Sequence, residues 1–247
     1  MRTARTYQLG AAYRSGVRSQ RWEAQMSPTK VRRPRSIGLA AGTIAVTVLL
    51  RRWSLRCGAT RDEVSAMLPG DDEVPRPDLV ATRAVTIHAG ADRVWPWIAQ
   101  LGQGRGGFYS YDWLENLVGG DIHNADAIVP AWQHIAIGDQ VNLAADVPLA
   151  ITHLDPGRAM VLGGGIPIGA MSPPFTFSWA FVLRDGSDGG TRLLVRERYG
   201  YNRRWAALMV EPTELISFLM TQRMLRGIKH RAERAGDSLL RGTPASL

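Results

Sequence analysis

Cysteine and lysine are scarce in this chain of 247 residues. Cys57 is the only cysteine, so neither an intrachain disulfide nor a metal site built from cysteines can form. Lys30 and Lys229 are the only lysines, whereas the arginines number 28. We interpret that imbalance as coding bias and not as a demand for guanidinium groups. Hydrophobic residues make up 45% of the chain, which excludes a wholly disordered or fibrous protein.

The formal net charge of +8 is distributed unevenly along the chain. Residues 1–61 carry 13 Lys and Arg and a single acid, Glu23, while residues 62–247 carry 17 bases and 21 acids. A basic leader therefore precedes a mildly acidic body, and we expect no specific nucleic-acid binding. Residues 1–35 have few large aliphatic side chains and no sustained periodicity, so we predict that they are disordered.

An uncharged hydrophobic run at residues 36–50 is bracketed by arginines. As a helix it would span about 22 Å, short of the roughly 30 Å hydrocarbon layer of a bilayer. With help from the flanking arginines and Trp53, we expect residues 36–52 to form a marginal membrane anchor of undecided orientation. The alternatives are a cleaved signal peptide, for which no small-x-small site follows the run, and a segment that is not in a membrane. In the last case the expected location is cytoplasmic.

The next part of the chain is predicted to connect the leader to the body. Residues 53–78 contain a capping box at Thr60–Glu63, which begins a short helix, and then a linker rich in proline and acids. We place the start of the globular body near Leu79 and its end near residue 236. Residues 237–247 are predicted to be a disordered tail.

Within the body, hydrophobic periodicity predicts the order of the elements. The chain should form a strand, two short helices, a run of antiparallel strands and one long helix, at residues 81–88, 91–101, 111–118, 140–144, 149–154, 160–162, 177–183, 191–199 and 213–235. Pro96 is acceptable only in a first helical turn, and Pro212 is placed just before the last helix. Strands grouped together with a separate terminal helix are typical of an α+β fold. The long helix would lie across one face of a curved antiparallel sheet.

Four segments of the body carry a resemblance to a known superfamily. They are VTIHAGADRVWPWIAQLGQGRGGFYSYDWLENL at 85–117, DIHNADAIVPAWQ at 121–133, the hairpin at 179–201 and the helix at 211–233. Together they resemble the helix-grip, Bet v 1/START-like superfamily called SRPBCC, which includes polyketide cyclase/dehydrase-type and lipid-carrier proteins. The resemblance implies a cavity between the sheet and the long helix. We expect no cofactor.

The glycine motif at 102–107 and the aromatic residues after it would lie at the mouth of that cavity. The motif satisfies G-x-G-x-x-G, but a helix precedes it where a dinucleotide fingerprint requires a strand, so we interpret it as a flexible loop. Phe108, Tyr109, Tyr111 and Trp113 either pack a short helix on the sheet or gate the cavity.

Three acidic or basic side chains are candidates for acid/base chemistry: Glu197, Asp112 and His123. Glu197 shares a strand face with apolar residues, so either a cavity arginine such as Arg105 neutralises it or it is a catalytic candidate. Asp121, His123 and Asp126 match no known metal-site spacing, and we expect no metal but a hydrogen-bond network that fixes the loop.

These observations predict a membrane-associated protein that binds a small hydrophobic or lipid-like molecule. The alternatives are a cyclase or dehydratase that acts on a polyketide-like substrate and a membrane-held interaction module without a ligand. The residues expected to contact the ligand are Trp97, Arg105, Phe108, Tyr109, Tyr111, Trp113, Trp179, Phe181, Val195, Glu197, Tyr199, Ile216, Leu219 and Met220.

Overall fold

The computed structural model describes residues 35–111, 122–144, 147–165 and 172–241. The chain separates into a first unit that ends at Gly42 and a second unit, Thr43–Leu247, that contains the sheet. The leader before Arg35, the helix predicted after Tyr111 and residues 242–247 lie outside the described residues.

Helix α1 (Arg35–Ser54) covers the hydrophobic run. Its second half carries exposed apolar side chains, among them Leu49, Leu50 and Trp53. Across the described residues, no helix combines the length and the apolar character needed to cross a membrane.

Helix α2 (Arg61–Ser65) begins at the predicted capping box. The Glu63 backbone N–H donates to Thr60 Oγ1 at 3.2 Å, and the Thr60 N–H donates to Glu63 Oε2 at 2.7 Å. The segment after α2, which the sequence presents as a linker, is packed against the sheet, with Leu68 and Val74 buried.

In the described ranges, six strands form one antiparallel sheet in the order β1-β6-β5-β4-β3-β2. Both predicted hairpins are present, with turns at Asp155–Arg158 and after Asp185. The strands are β1 (Leu79–Ile87), β2 (Gln140–Asn142), β3 (Pro148–Asp155), β4 (Ala159–Gly164), β5 (Phe175–Asp185) and β6 (Thr191–Tyr201).

Helix α3 (Ala91–Ala99) and the 36-residue helix α4 (Ala206–Arg241) pack on one face of this sheet. The fold is therefore α+β, and a long C-terminal helix on an antiparallel sheet is compatible with a helix-grip arrangement. Helix α4 continues to Arg241, so the first residues of the predicted tail are helical.

Both helix prolines lie deeper inside their helices than the sequence predicts. Pro96 is the sixth residue of α3, and Pro212 is the seventh residue of α4, which begins at Ala206 instead of Thr213. A proline inside a helix removes one backbone hydrogen bond and disturbs the preceding turn. In the same turn of α4, the one hydrogen of the Thr213 hydroxyl is shared between the Met209 carbonyl at 2.9 Å and the Val210 carbonyl at 3.0 Å.

Alternation along β5 and β6 divides the side chains between the two faces of the sheet as predicted. The inner face packs apolar side chains against α3 and α4, whereas the outer face carries the arginines of β6. Arg192 forms a bidentate pair with Glu63, at 2.7 and 2.9 Å. Arg196 donates to Asp71 at 2.7 Å. These ion pairs hold the segment around α2 on the outer face.

Candidate ligand-binding cavity

A cavity of about 410 Å³ lies between the inner face of the sheet and α4. Its volume is in the range of about 300–1,000 Å³ that is usual for small-molecule sites. Most of its wall is apolar, and the residues that form it are Phe108, Ser110, Ile122, Leu143, Ala144, Phe175, Phe177, Trp179, Glu197, Tyr199, Met209, Val210, Thr213, Ile216, Ser217, Met220, Thr221 and Met224.

Aromatic rings form the sheet side of the cavity. Phe175, Phe177 and Trp179 alternate along β5, so all three point to the inner face. The ring of Phe177 lies 4.7 Å from that of Tyr199 on β6, and Trp179 lies 5.9 Å from Phe108. Contacts at these separations are favourable for tilted aromatic pairs and fix the shape of this wall.

Helix α4 forms the opposite side with two rows of residues. The row toward solvent contains Met209, which is 40% exposed, and Ile216, which is 48% exposed. The inner row contains Val210, Ser217 and Thr221, which face the sheet. Residues three and four apart share a face of a helix, which is why they form rows. Because the row with Met209 and Ile216 is exposed, it marks the mouth of the cavity, and the inner row marks its floor.

A buried ion cluster lies at this floor. Arg83 on β1 is 1% exposed and Glu197 on β6 is 2% exposed. Arg83 Nη1 donates to Glu197 Oε1 at 2.9 Å, and Arg83 Nη2 donates to Glu214 Oε1 at 2.6 Å. Its Nε donates to the Ser54 carbonyl at 3.1 Å. One guanidinium group thus serves two carboxylates from β6 and α4.

Glu197 also accepts three hydrogen bonds from hydroxyl groups on the cavity wall. Thr221 Oγ1 donates to Oε1 at 3.0 Å, while Ser217 Oγ and the Tyr199 hydroxyl donate to Oε2 at 2.8 and 3.1 Å. Together with Arg83, these donors occupy two acceptor positions on each carboxylate oxygen, the usual capacity of the group.

Burial governs the protonation of the neighbours of Glu197. It raises the pKa of the Tyr199 phenol well above its ordinary value, and the charge of Glu197 raises that pKa further. Burial also raises the pKa of Glu214, with Arg83 opposing the shift and Glu197 adding to it. Tyr199 therefore keeps its proton, and Glu214 takes up a proton more readily than an ordinary glutamate.

The glycine motif forms a closed turn beside the cavity. Gly102 and Gly107 exchange backbone hydrogen bonds of 3.1 and 3.0 Å, and both have the positive φ that glycine permits. Arg105 reaches away from Glu197 and donates to the carbonyls of Ala99 at 2.9 Å and Trp132 at 2.7 Å. The arginine that neutralises Glu197 is thus Arg83 and not Arg105.

Tyr109 follows this turn with a positive φ of 57°. It is buried, its hydroxyl donates to the Trp97 carbonyl at 3.0 Å, and Asn124 accepts from its backbone N–H. The Asn124 side chain also donates to the Ser110 carbonyl at 3.3 Å. Asn124 thereby holds the chain in a conformation that is unfavourable for a tyrosine.

The structure brings six of the predicted ligand-contacting residues to the cavity wall: Phe108, Trp179, Glu197, Tyr199, Ile216 and Met220. Seven others lie elsewhere in the described structure, with Phe181 and Val195 further along the sheet, Tyr111 and Leu219 exposed, and Trp97, Arg105 and Tyr109 around the glycine turn.

The remaining site predictions concern Trp113 and the three acid/base candidates. Trp113 and Asp112 lie outside the described residues. His123 is exposed and Glu197 is on the wall. Within the ranges that the structure describes, no group of three or more His, Cys, Asp or Glu could hold a metal ion.

Four residues around the cavity floor were not predicted from the sequence: Arg83, Glu214, Ser217 and Thr221. Two signals point to them. Alternation in β1 puts Arg83 on the face of Val85 and Ile87, where an arginine needs a buried partner. Glu214, Ser217 and Thr221 recur at helical spacing and form one polar stripe of α4.

The polar stripe also corrects part of the apolar stripe that helical spacing predicts for α4, which consists of Ile216, Leu219, Met220, Met224, Ile228 and Ala232. Ile216 and Leu219, which were expected to face the core, are each 48% exposed. In the same turns Glu214 binds Arg83, and Ser217 and Thr221 bind Glu197. Further along, Met224, Ile228 and Ala232 are buried as predicted.

No protein-family model and no curated protein matches the chain. Solved structures with similar folds include protein Ms6760 from Mycobacterium smegmatis, at 14% identity over 65% of this chain and 92% of that one, with a TM-score of 0.39. DynU16, from the dynemicin biosynthetic locus, is 16% identical over 69% of this chain and 51% of its own, with a TM-score of 0.34. A point mutant of norcoclaurine synthase from Thalictrum flavum, in complex with a transition-state analogue, is 12% identical over 64% of this chain and 96% of its own, with a TM-score of 0.38. At such scores these likenesses carry no argument about function.

Proposed function

We propose that the protein binds a small, largely apolar molecule in the cavity between the sheet and α4. The observation that carries this proposal is an apolar wall around about 410 Å³ with one carboxylate and three hydroxyl groups together at one place, the floor around Glu197. Ligand sites commonly combine a predominantly apolar wall with a few convergent polar groups. The resemblance of the sequence to the SRPBCC superfamily, which includes lipid carriers, supports the same function.

Binding is tested with the uncharged fluorescent probe N-phenyl-1-naphthylamine. We expect saturable binding that Met220→Trp weakens at least about tenfold, because an indole at the wall takes up part of the cavity. Leu219→Trp is the matched control, since Leu219 is the preceding residue of α4 but is not on the wall. Equal effects of the two substitutions, with both variants folded, would place the probe outside the cavity and overturn the proposal.

The alternative function, a cyclase or dehydratase, is favoured by one observation: Glu197 is a carboxylate on the cavity wall. A general base must accept a proton from the substrate, however, and both oxygens of Glu197 already accept two hydrogen bonds each. We therefore favour binding over catalysis. Mass spectrometry of polyketide-like substrates after incubation tests the alternative; turnover that Glu197→Gln abolishes while probe binding persists would establish it.

We further propose that ligand exchange takes place at a membrane surface. The cavity mouth at Met209 and Ile216 lies on the exposed side of α4. Helix α1 adds exposed Leu49 and Leu50, followed by Arg51 and Arg52. Apolar side chains flanked by arginines suit the interface of an anionic bilayer.

Flotation of the full chain with vesicles tests the membrane proposal. Binding to vesicles of phosphatidylcholine and phosphatidylserine should exceed binding to phosphatidylcholine alone, and Leu49→Glu with Leu50→Glu should reduce it several-fold. Retention of full binding by this double variant would overturn the assignment of that surface. Probe binding in the cavity is a separate readout that the variant should leave unchanged.

A further inference from the structure

We infer that the polar group of the ligand is a hydrogen-bond donor, such as a hydroxyl or an amine N–H, and not a carboxylate. This inference rests on the proposed binding function and follows from the direction of the hydrogen bonds at the cavity floor. There, the groups that face the cavity have already given their hydrogens to Glu197.

Each hydroxyl group has one hydrogen to donate and two lone pairs with which to accept. Tyr199 and Ser217 donate theirs to Glu197 Oε2 at 3.1 and 2.8 Å, and Thr221 donates to Oε1 at 3.0 Å. Thr213, nearer the mouth, donates to carbonyls of its own helix. These four wall residues therefore offer lone pairs, and a ligand must bring the hydrogen.

Arg83 does not supply the missing donor. Its Nε, Nη1 and Nη2 donate to Ser54, Glu197 and Glu214. The ring of Phe218 covers its guanidinium group, with 5.5 Å between Cζ and the ring centroid, and Arg83 is absent from the cavity wall. Glu197 and Glu214 share this one cation, so the cluster has no excess positive charge with which to attract an anionic ligand.

Two other polar atoms belong to wall residues, Ser110 Oγ and Trp179 Nε1. Both atoms are buried and have no hydrogen-bond partner in the part of the chain that the structure describes. Because neighbouring atoms cover them, neither presents an accessible donor to the cavity. The polar groups that remain to meet a ligand at the cavity floor are thus the hydroxyl groups that surround Glu197.

The inference is tested by displacement of N-phenyl-1-naphthylamine with 1-decanol, decanoate and decane at pH 7.5. The three probes share one chain length and differ in the polar end. We expect 1-decanol to bind at least about tenfold more tightly than decanoate, which is the fold-change that corresponds to about 1.4 kcal/mol. If the naphthylamine and all three probes fail to bind, the proposed function fails. If decanoate binds as tightly as 1-decanol, the function stands and the donor inference is overturned.

Glu197→Gln should reverse the hydrogen bonds and with them the preference. Arg83 and Thr221 both donate to the Oε1 position, so the amide oxygen must occupy that position and the amide NH₂ must face Tyr199 and Ser217. Those two hydroxyl groups then accept from the amide, and their hydrogens become free to bind a ligand carboxylate.

The preference for 1-decanol over decanoate should therefore fall several-fold in Glu197→Gln. Glu214→Gln is the control, because Glu214 accepts from Arg83 and from none of the wall hydroxyls. Glu214→Gln removes a negative charge and leaves the direction of the hydrogen bonds from the wall hydroxyls to Glu197 unchanged. If both variants shift the preference equally, net charge and not hydrogen-bond direction selects the ligand, and the inference is wrong. Thermal unfolding verifies that both variants are folded.

Discussion

Removal of the Arg83 guanidinium group should destabilise the protein more than any surface substitution. Arg83 lies between Glu197 and Glu214 at 2.9 and 2.6 Å, and all three side chains are buried. At an effective dielectric constant of 20, two unit charges about 4 Å apart interact by about 4 kcal/mol. Arg83→Met keeps an unbranched apolar stem but leaves two buried carboxylates without their cation.

The expected loss is about 3–5 kcal/mol, the usual cost of breaking a buried ion pair from one side. In a chain of this size that loss lowers the melting temperature by about 6–20 °C. Thermal and urea unfolding followed by circular dichroism measure it. Arg158→Met is the control, because Arg158 is exposed in the β3–β4 turn, and it should change stability by less than about 0.5 kcal/mol.

Two further results distinguish lost charge pairing from lost packing. The deficit of Arg83→Met should shrink as the pH falls from 7 to 5, since Arg83 opposes the burial that raises the pKa of Glu214, and without it Glu214 takes up a proton more readily. Adding Glu197→Gln should also recover part of the loss, giving a coupling of about 1–3 kcal/mol. A deficit that is independent of pH and additive with Glu197→Gln would refute the charge argument.

Three other substitutions test separate parts of the structure. Burial raises the folded-state pKa of Glu214. This group therefore stabilises the fold below its unfolded-state pKa, and that contribution is lost as the pH rises through its folded-state pKa. Glu214→Gln should flatten the pH dependence of the unfolding free energy, measured in urea between pH 4 and 8. Hydrogen bonding with Arg192 lowers the pKa of Glu63 to about 2. The stability that Glu63 provides is therefore complete above pH 5 and lost as the pH falls toward 2. In the same urea assay, Glu63→Gln should reduce the unfolding free energy at pH 7 but not at pH 2. Gly227→Ala would place a Cβ 2.5 Å from the Tyr109 carbonyl oxygen, and we expect it to lower the stability of the fold by about 1–3 kcal/mol. Thermal unfolding measures this loss, and Arg226→Ala, on the exposed side of α4, is the control.

The sheet and its hairpins are predictable from the sequence because their signals are local. Alternation along β5 and β6 assigns each side chain to a face, and turn residues separate the strands. This rule placed Glu197 on the inner face and Arg192, Arg196 and Arg198 on the outer face, as the structure has them. What alternation cannot give is the identity of a partner far away in the chain.

The ion cluster shows this limit. Arg83 and Glu197 are 114 residues apart, and Arg83 and Glu214 are 131 apart. Only the pairing of β1 with β6 and the packing of α4 bring them together. From the sequence, Glu197 was expected either to be neutralised by a cavity arginine such as Arg105 or to be a catalytic candidate, but Arg105 donates to two backbone carbonyls beside the closed glycine turn.

The start of α4 was misplaced for a related reason. Proline is most common in the first helical turn, and that preference puts the start at Thr213. The helix instead begins seven residues earlier, at Ala206. The earlier turns are stabilised by tertiary packing, since Ala206 and Val210 are buried against the core. Burial of an apolar helix face outweighs the loss of one backbone hydrogen bond at Pro212.

The location of the ion cluster bears on why it is there. Well-packed apolar residues of similar volume commonly match or exceed a buried ion pair in stability, so stability alone does not account for Arg83, Glu197 and Glu214. The cluster lies where the apolar wall meets the hydroxyl groups of Tyr199 and Ser217. Apolar substitutes would leave those hydroxyls free to turn and donate in any direction, whereas Glu197 fixes their hydrogens away from the cavity. The cluster thereby gives an otherwise apolar cavity a defined hydrogen-bonding polarity, which burial of apolar surface cannot provide.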